Sequence, residues 1–406
     1  MWPLKRWKVL VLALLLVFVS SLTTSGYDKD KEVKAGARED LYNQLELFAD
    51  AISILRSDYV DNVDSKKLIY GAMKGMLASL DDFSQFLEPD EYNELKQETK
   101  GEFGGIGIEI SVKDGVLTVV APISGTPADE AGIKAGDKII KIDGKVTKNM
   151  GLDEAVKIMR GRPGAAITLT VWREKDRKVI DIQLKRAVIK IESIRKAVIA
   201  EAGIGYIKLV EFQERTPEDL EKALKKLEGE GIAALILDLR NNPGGLLEGA
   251  VGVSERFLQK DKVIVSIRAR DPANNATIKS SGKFTHPDYP MIVIVNEGSA
   301  SASEIVAGAV QDNKRCVILG TKTFGKASVQ TVIPLKDGSA IRFTTATYHT
   351  PSGRLIKNEG ITPDVVLEKE EGKAPEAGEE KLASDNQIDM AVKMLKAMRV
   401  YKAPEK

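Results

Sequence analysis

MIVIVNEGSASASEIVAGAVQD, residues 291–312, is the stretch on which the fold turns. Its first five residues are apolar and four of them are β-branched. That run is too short for a globular helix and suits a strand buried on both faces. EIVAGAVQD then spaces its apolar residues as a helix does. Between the two, three serines alternate with alanines, the composition of a tight strand-to-helix turn that can present a hydroxyl. Strands buried on both faces and followed by helices belong to an α/β sheet with largely parallel strands.

The flanking sequence repeats this rhythm. IGYIKLVEF leads to TPEDLEKALKKLEGEG, where Thr216 is placed to cap a helix and Pro217 takes its first position. IAALILDLR is another buried strand, ending in NNPGG and the helix-like LLEGAVGVSERFL. KVIVSIRAR is a further strand, whereas SVQTVIPL and SAIRFTTATYHT alternate and read as antiparallel. Residues 188–366 therefore form an α/β core with a mostly parallel sheet plus antiparallel strands. Upstream, 27–100 reads as a helical N-terminal region, with apolar residues at i, i+3 and i+4 in LYNQLELFADAISILRSDYV and KKLIYGAMKGMLASL. The fold class expected is α/β multidomain.

At 406 residues the chain has room for two or three cored domains. Sixty Lys plus Arg balance 59 Asp plus Glu, and aromatics are only 5%, so no field or stacking pattern favours nucleic acid. One cysteine, Cys316 in the strand-like CVILG, excludes an internal disulfide and every CxxC zinc pattern. No metal or cofactor is implied. Lys5, Arg6 and Lys8 precede an apolar run over residues 9–19, the pattern of a signal segment (1–26), either cleaved or kept as an inner-membrane anchor. Export to a periplasm or cell envelope follows as the expectation. Residues 367–385 are charged and poor in apolar side chains, as a linker is. Beyond them, 386–406 carry Ile388, Val392, Leu395 and Met398 at helical spacing, a face for a partner subunit or for the chain's own core.

From Gly101 the period changes to β-like, with one short helix, GLDEAVKIMRG. FGGIGIEI and SGTPADEAGIKAGDKIIKIDG in residues 101–187 resemble a PDZ domain. A glycine-rich turn can aim successive N–H groups at one carboxylate, and the adjoining strand can offer its edge to an extended peptide. The resemblance implies a carboxylate loop of Gly105, Ile106, Gly107 and Ile108, with Leu152, Val156 and Met159 walling a groove for substrate C-termini.

Two patterns are decoys. GTKTFGK (320–326) matches a phosphate loop, but Ala327 replaces the magnesium-binding hydroxyl and a β-branched run follows. SIRK (193–196) lacks the partner motifs its chemistry requires. If a serine of 299–303 is a nucleophile, its base is His286, His349 or a lysine. A lysine amine, ordinarily near 10.4, must be depressed by burial to serve. Lys326, between Gly325 and Ala327 and next to the apolar Phe324, is the best placed. The residues alone leave open a Ser–Lys pair and a packed, inert serine turn.

A PDZ-like region, then LDLRNNPGGLL, NEGSASASEIVAGAVQDN and TFGKASVQ, in that order along the chain, resemble the carboxyl-terminal processing peptidases, tail-specific proteases of the Ser–Lys type. The resemblance implies Ser301 as nucleophile, Lys326 as general base and Gln330 as the residue holding the lysine. On an extended strand Lys326, Ser328 and Gln330 share one face. It also implies an oxyanion hole of the Ala302 amide with one from the NNPGG turn, Gly244 or Gly245. Arg160, at the end of the PDZ helix, takes the position of a regulatory arginine. Ala327 departs from the family's usual glycine. The expected enzyme is an exported serine endopeptidase acting on proteins or peptides with exposed apolar C-termini. A homo-oligomer through the N- and C-terminal helices and an adaptor protein are the further partner expectations. The alternative is a catalytically silent tail-binding adaptor or chaperone.

Overall fold

The computed structural model describes residues 40–113, 115–370 and 385–402. The expected signal segment and most of the linker lie outside them. Two compact units divide after Leu80. In the first, α1 covers 40–58 and α2 covers Ser65–Ala78, where the Asp64 side chain accepts the Lys66 N–H at 2.9 Å as an N-cap.

The second unit opens with β1 (Gln85–Leu87) and α3 (Pro89–Thr99). The stretch expected to be wholly helical thus ends partly as strand, because β1 finds a partner far away in the sequence. Then come β2 (Glu102–Gly105), β3 (Ile108–Lys113), β4 (Val116–Pro122), α4 (Pro127–Glu130), β5 (Lys138–Ile142), β6 (Lys145–Val146), α5 (Leu152–Met159), β7 (Ala166–Arg173), β8 (Lys178–Lys185) and β9 (Ala187–Lys190). An antiparallel sheet in the order β3-β4-β5-β7-β8, with β6 on β5, closes over Leu117, Ile139, Ile142, Ala155 and Leu169. β3 ends that order, beside α5. β2 and β9 pair separately.

β10 (Ile194–Glu201), β11 (Ile204–Leu209), α6 (Thr216–Gly229), β12 (Ala234–Asp238) and α7 (Leu247–Glu255) follow. The remainder is β13 (Val263–Ala269), β14 (Ala276–Lys279), β15 (Met291–Val295), α8 (Ala302–Asp312), β16 (Val317–Gly320), β17 (Ser328–Pro334), β18 (Ala340–His349), β19 (Val365–Val366) and α9 (Asn386–Lys402). The main sheet runs β10-β11-β12-β15-β16-β19; every pair is parallel except β10 with β11. A second sheet, β1-β18-β13-β14 with β17 on β18, is antiparallel throughout. The expectation of a mostly parallel core therefore holds for the main sheet alone. KVIVSIRAR became β13 of the other sheet, where Ile264 and Val265 are buried but the later residues are only partly so and Arg268 stays exposed.

β12 and β15 are buried along their whole length because helices cover both faces. Leu235, Leu237, Val293 and Val295 face the side packed by α6, α7 and α8; Ala234, Ile236, Ile292 and Ile294 face α9. On α9, Ile388, Ala391 and Leu395 are buried and Val392 and Met398 partly so. At about 1.5–3 kcal/mol for each fully buried aliphatic side chain, this face is used for docking on the chain's own sheet, one of the two alternatives its spacing left open.

Candidate active site

The carboxyl ends of β12, β15 and β16 come together, the place where open α/β sheets carry their sites. Leaving β15, the chain makes a turn closed by the Ser299 N–H on the Asn296 carbonyl at 2.8 Å. It then reaches Ser301 with φ +53° and ψ −110°. A residue with a Cβ in that region is strained by about 1–3 kcal/mol, and the strain sharpens the strand-to-helix turn.

The three serines are not equivalent. Ser299 Oγ donates to the Leu239 carbonyl at 2.8 Å, and Ser303 Oγ donates to the Asn242 carbonyl at 2.9 Å; both residues are fully buried. Ser301 is half-buried, and its hydroxyl donates to no carbonyl among the described residues. Two serines bind the turn to the strand beside it, which leaves one for chemistry.

NNPGG approaches from β12. Asn242, buried, donates from Nδ2 to the Leu209 carbonyl at 3.0 Å and accepts the Gly244 N–H on Oδ1 at 2.9 Å. Its own carbonyl accepts the Ala300 N–H at 3.1 Å as well as Ser303 Oγ. Gly244 has φ +105°, and a Cβ there would lie 2.7 Å from the Ala300 oxygen and 2.8 Å from Ser301 Cβ. The backbone therefore lies directly against the serine only because this residue is glycine. Since the Gly244 N–H is taken by Asn242, the unbonded N–H of the pair is that of Gly245. Ala302, at the first position of α8, also has an unbonded N–H among the described residues, as helix N-termini do.

The loop after β16 brings Lys326. Glu304, fully buried in the first turn of α8, collects it: Oε1 accepts Thr323 Oγ1 at 2.6 Å and the Gly325 N–H at 2.7 Å. Oε2 accepts the Lys326 N–H at 2.9 Å and the Ser301 N–H at 2.8 Å. Burial pushes the Glu304 carboxyl up, against the hydrogen bonds from Thr323, Gly325, Ser301 and Lys326.

No hydrogen bond joins Lys326 Nζ to Ser301. The amine stands 4.6 Å from the centre of the Phe83 ring. Burial holds the amine below its ordinary value, the Arg342 cation adds to this, and Glu304 opposes it. The aromatic neighbour differs from the expected one: Phe324 turns outward, 60% exposed, and Phe83 supplies the apolar wall. The expected contact from Gln330 is also not made. Gln330 Nε2 donates to Thr344 Oγ1 at 2.7 Å, while Oε1 is buried without a partner. Ser301, Ala302, Gly244 and Gly245 are thus brought together with the backbone of Lys326, while the lysine amine and Gln330 make no hydrogen bond to them.

The histidines are occupied elsewhere. His286 lies 2.8 Å from Glu228 and 3.1 Å from Glu221, and His349 contacts Thr347 Oγ1 and the Gly353 carbonyl. After Ala327 the chain enters β17, so the glycine–lysine loop meets no helix N-terminus.

In the β-rich region Gly107 has φ +77°, and a Cβ there would fall 2.4 Å from Thr126, whose Oγ1 donates to the Gly107 carbonyl at 3.0 Å. Ile106 and Met159 are buried, Ile108 and Val156 half-buried, and Leu152 exposed. Met159 and Ile106 therefore belong more to the core than to an open groove wall. Gly105 ends β2. Arg160 Nη1 pairs with Glu98 Oε1 at 2.7 Å, and its guanidinium stands 4.9 Å over Phe103. A 740 Å³ cleft opens there, with Glu98, Phe103 and Arg160 in its wall. Sequence reasoning missed Phe83, Glu98, Asn242 and Glu304. Only Glu304 carried a local signal, as the fourth residue of Ser301-x-x-Glu304, a capping-box spacing.

Comparison with known proteins gives family matches along the chain. The family profile described as Peptidase family S41 matches residues 203–367, that of a PDZ domain residues 118–173, and that of the activating protease CtpB N-terminal domain residues 16–90. A carboxy-terminal-processing protease of Bartonella bacilliformis is 44% identical over 367 residues, 89% of this chain and 81% of the relative. A probable CtpA-like serine protease of Staphylococcus aureus is 34% identical, covering 90% of this chain and 73% of the relative. Among solved structures, a putative S41 protease of Bacteroides fragilis shares the fold, with a TM-score of 0.54 at 16% identity over 86% of this chain and 97% of that one.

Proposed function

The chain belongs to peptidase family S41, the carboxyl-terminal processing serine proteases with a PDZ domain, and from that premise we propose that it is an exported endopeptidase with a Ser301–Lys326 dyad. One observation carries the reading. Of three neighbouring serines, only Ser301 has a hydroxyl committed to no carbonyl, and it stands at a strained helix start beside the unbonded amides of Ala302 and Gly245.

In the proposed cycle the edge of β3 and the loop 105–108 hold a substrate's C-terminal carboxylate. Lys326, whose amine burial holds below its ordinary value, takes the Ser301 proton from its neutral form as Oγ bonds to an upstream peptide carbonyl carbon. The oxyanion is held by the Ala302 and Gly245 N–H groups. As the C–N bond breaks, the lysine proton passes to the leaving amine, and an ester to Ser301 remains. Water gives a proton to Lys326 and attacks the ester; the acid product leaves and Ser301 regains its proton.

For this to happen the Lys326 amine has to leave the Phe83 ring and reach Ser301. Gln330 Oε1, buried and unpartnered, offers the acceptor that would steady it there. Peptide binding supplies the occasion for the movement. The positive, then apolar, pattern of residues 1–26 supports export, and with it action on envelope proteins with apolar C-termini.

Ser301→Ala and Lys326→Ala are expected to abolish cleavage of an unfolded protein with a free apolar C-terminus, whereas His286→Ala and His349→Ala keep it. Amidating that C-terminus is expected to slow cleavage by wild type about tenfold or more, the scale of one lost charge-assisted contact. Full turnover by Lys326→Ala would sink the dyad, and indifference to amidation would sink tail recognition.

A further inference from the structure

Glu304 is buried completely, yet no lysine, arginine or histidine among the described residues forms an ion pair with it. Its partners are all donors: the N–H groups of Ser301, Gly325 and Lys326, and Thr323 Oγ1. The Thr323 oxygen in turn accepts the Ile361 N–H at 2.6 Å. A protonated carboxyl would place its own hydrogen against these donors and strand at least one of them. Four convergent donors and the start of α8 instead fit an ionised, acceptor-only carboxylate. Two of the four are the main-chain N–H groups of the proposed nucleophile and the proposed base. One carboxylate oxygen, Oε2, takes both.

Resting on the dyad reading, we propose that Glu304 is a positioning residue for the reaction: its carboxylate fixes Ser301 and Lys326 relative to one another through their backbones, and its charge offsets the ammonium that forms on Lys326 when the serine proton is taken. The charges that bear on Lys326 are then two. Arg342, from β18, favours the neutral amine that can accept a proton, and Glu304, from α8, favours the ammonium that results. Glu98, from α3, bears on Arg342 in turn. The arrangement resembles the role of a buried carboxylate behind a histidine base, with the difference that contact runs through main-chain N–H groups.

The test is the pH dependence of kcat/KM for an ester or peptide substrate in Glu304→Gln, Glu304→Asp and wild type. Its acid limb reports deprotonation of Lys326 in the free enzyme. Glu304→Gln removes the negative charge, so the limb is expected to move to lower pH by about one unit, with kcat lower by about 10²-fold and KM within about twofold. Glu304→Asp keeps the charge but withdraws the oxygens, so kcat falls while the limb stays. An unmoved limb in a folded Glu304→Gln overturns the proposal, as does an equal shift in Glu304→Asp. Should Glu304→Gln not fold, Thr323→Val decides: it removes one donor, and a kcat equal to wild type overturns the positioning role. Ser301→Ala and Lys326→Ala run alongside. Their inactivity together with an unmoved limb removes only this inference, and their activity removes the dyad.

Discussion

Asn242 does at the level of one residue what three loops require. Its amide spans the Leu209 carbonyl and the Gly244 N–H, and its carbonyl receives the turn that carries Ser301. With Gly244 held this way, the Gly245 N–H is left for an oxyanion. Asn242→Ala leaves two buried backbone groups unpartnered, at about 1–3 kcal/mol each. It is therefore expected to lower the urea midpoint and to reduce kcat about 10²-fold beyond the loss of folded enzyme, as the removal of an oxyanion donor does. A kcat per folded molecule equal to wild type would show that the turn keeps its shape without the amide. The serine turn and Lys326 stand out in the chain as candidates because small residues, an apolar strand and a lysine next to glycine are local signals, while Ser301 itself is singled out by the family resemblance. Which serine is free was not legible there: the answer lies in the carbonyls of Leu239 and Asn242, about 60 residues upstream, which no spacing reveals.

Among elements, β12 and β15 were legible and the placement of β13 was not. A strand covered on both faces along its whole length is apolar throughout and announces itself, whereas a strand buried only in part can join either sheet. The docking of α9 was equally undetermined, since its apolar spacing fits any flat apolar partner. The structure joins it to β12 through charge as well as packing: Asp238, buried at the end of β12, binds Arg240, which reaches Asp385 at 2.7 Å and Gln387 at 2.8 Å. Lys208 Nζ and Tyr206 Oη also donate to Asp238, at 3.0 and 2.8 Å. Burial pushes the Asp238 carboxyl up, but bonds from Arg240 and the charges of Lys208 and Arg240 outweigh it and hold it below the ordinary range. A depressed carboxyl contributes stability that is complete above its unfolded value, about 3.9, and is lost as pH falls through the folded one. Asp238→Asn takes the carboxylate from the half-buried Lys208 and leaves Arg240 with Asp385 alone, and is expected to cost about 3–5 kcal/mol at pH 7. Urea titrations at pH 7 and pH 3 should show the gap from wild type narrowing in acid; an equal gap at both would mean that the charge is not what holds α9.

On the scale of the whole second unit, one continuous segment connects the proposed tail-binding region to the lysine. Phe83 lies under the Lys326 amine; two residues later β1 pairs with β18, and α3 carries Glu98 to Arg160 at the end of α5. The Arg160–Glu98 pair is itself weak, because both side chains are more than a third exposed to water. A weak link suits a contact that, in the proposed cycle, a bound C-terminus would rearrange. At the other end, a ring face attracts an ammonium by about 0.5–1 kcal/mol at a partly open site. That attraction has to be given up each time the amine moves to Ser301. Phe83→Leu keeps an apolar wall and removes the ring's quadrupole, so it should raise hydrolysis of a C-terminally amidated substrate about two- to fivefold, the factor that this energy sets. Cleavage of a free-tailed substrate should rise less, since the bound tail has already favoured the movement. The same variant is expected to move the acid limb of kcat/KM to lower pH, because the ring favours the protonated amine. An unchanged or slower reaction on the amidated substrate would mean that Phe83 is part of the working site instead of a resting place for its base.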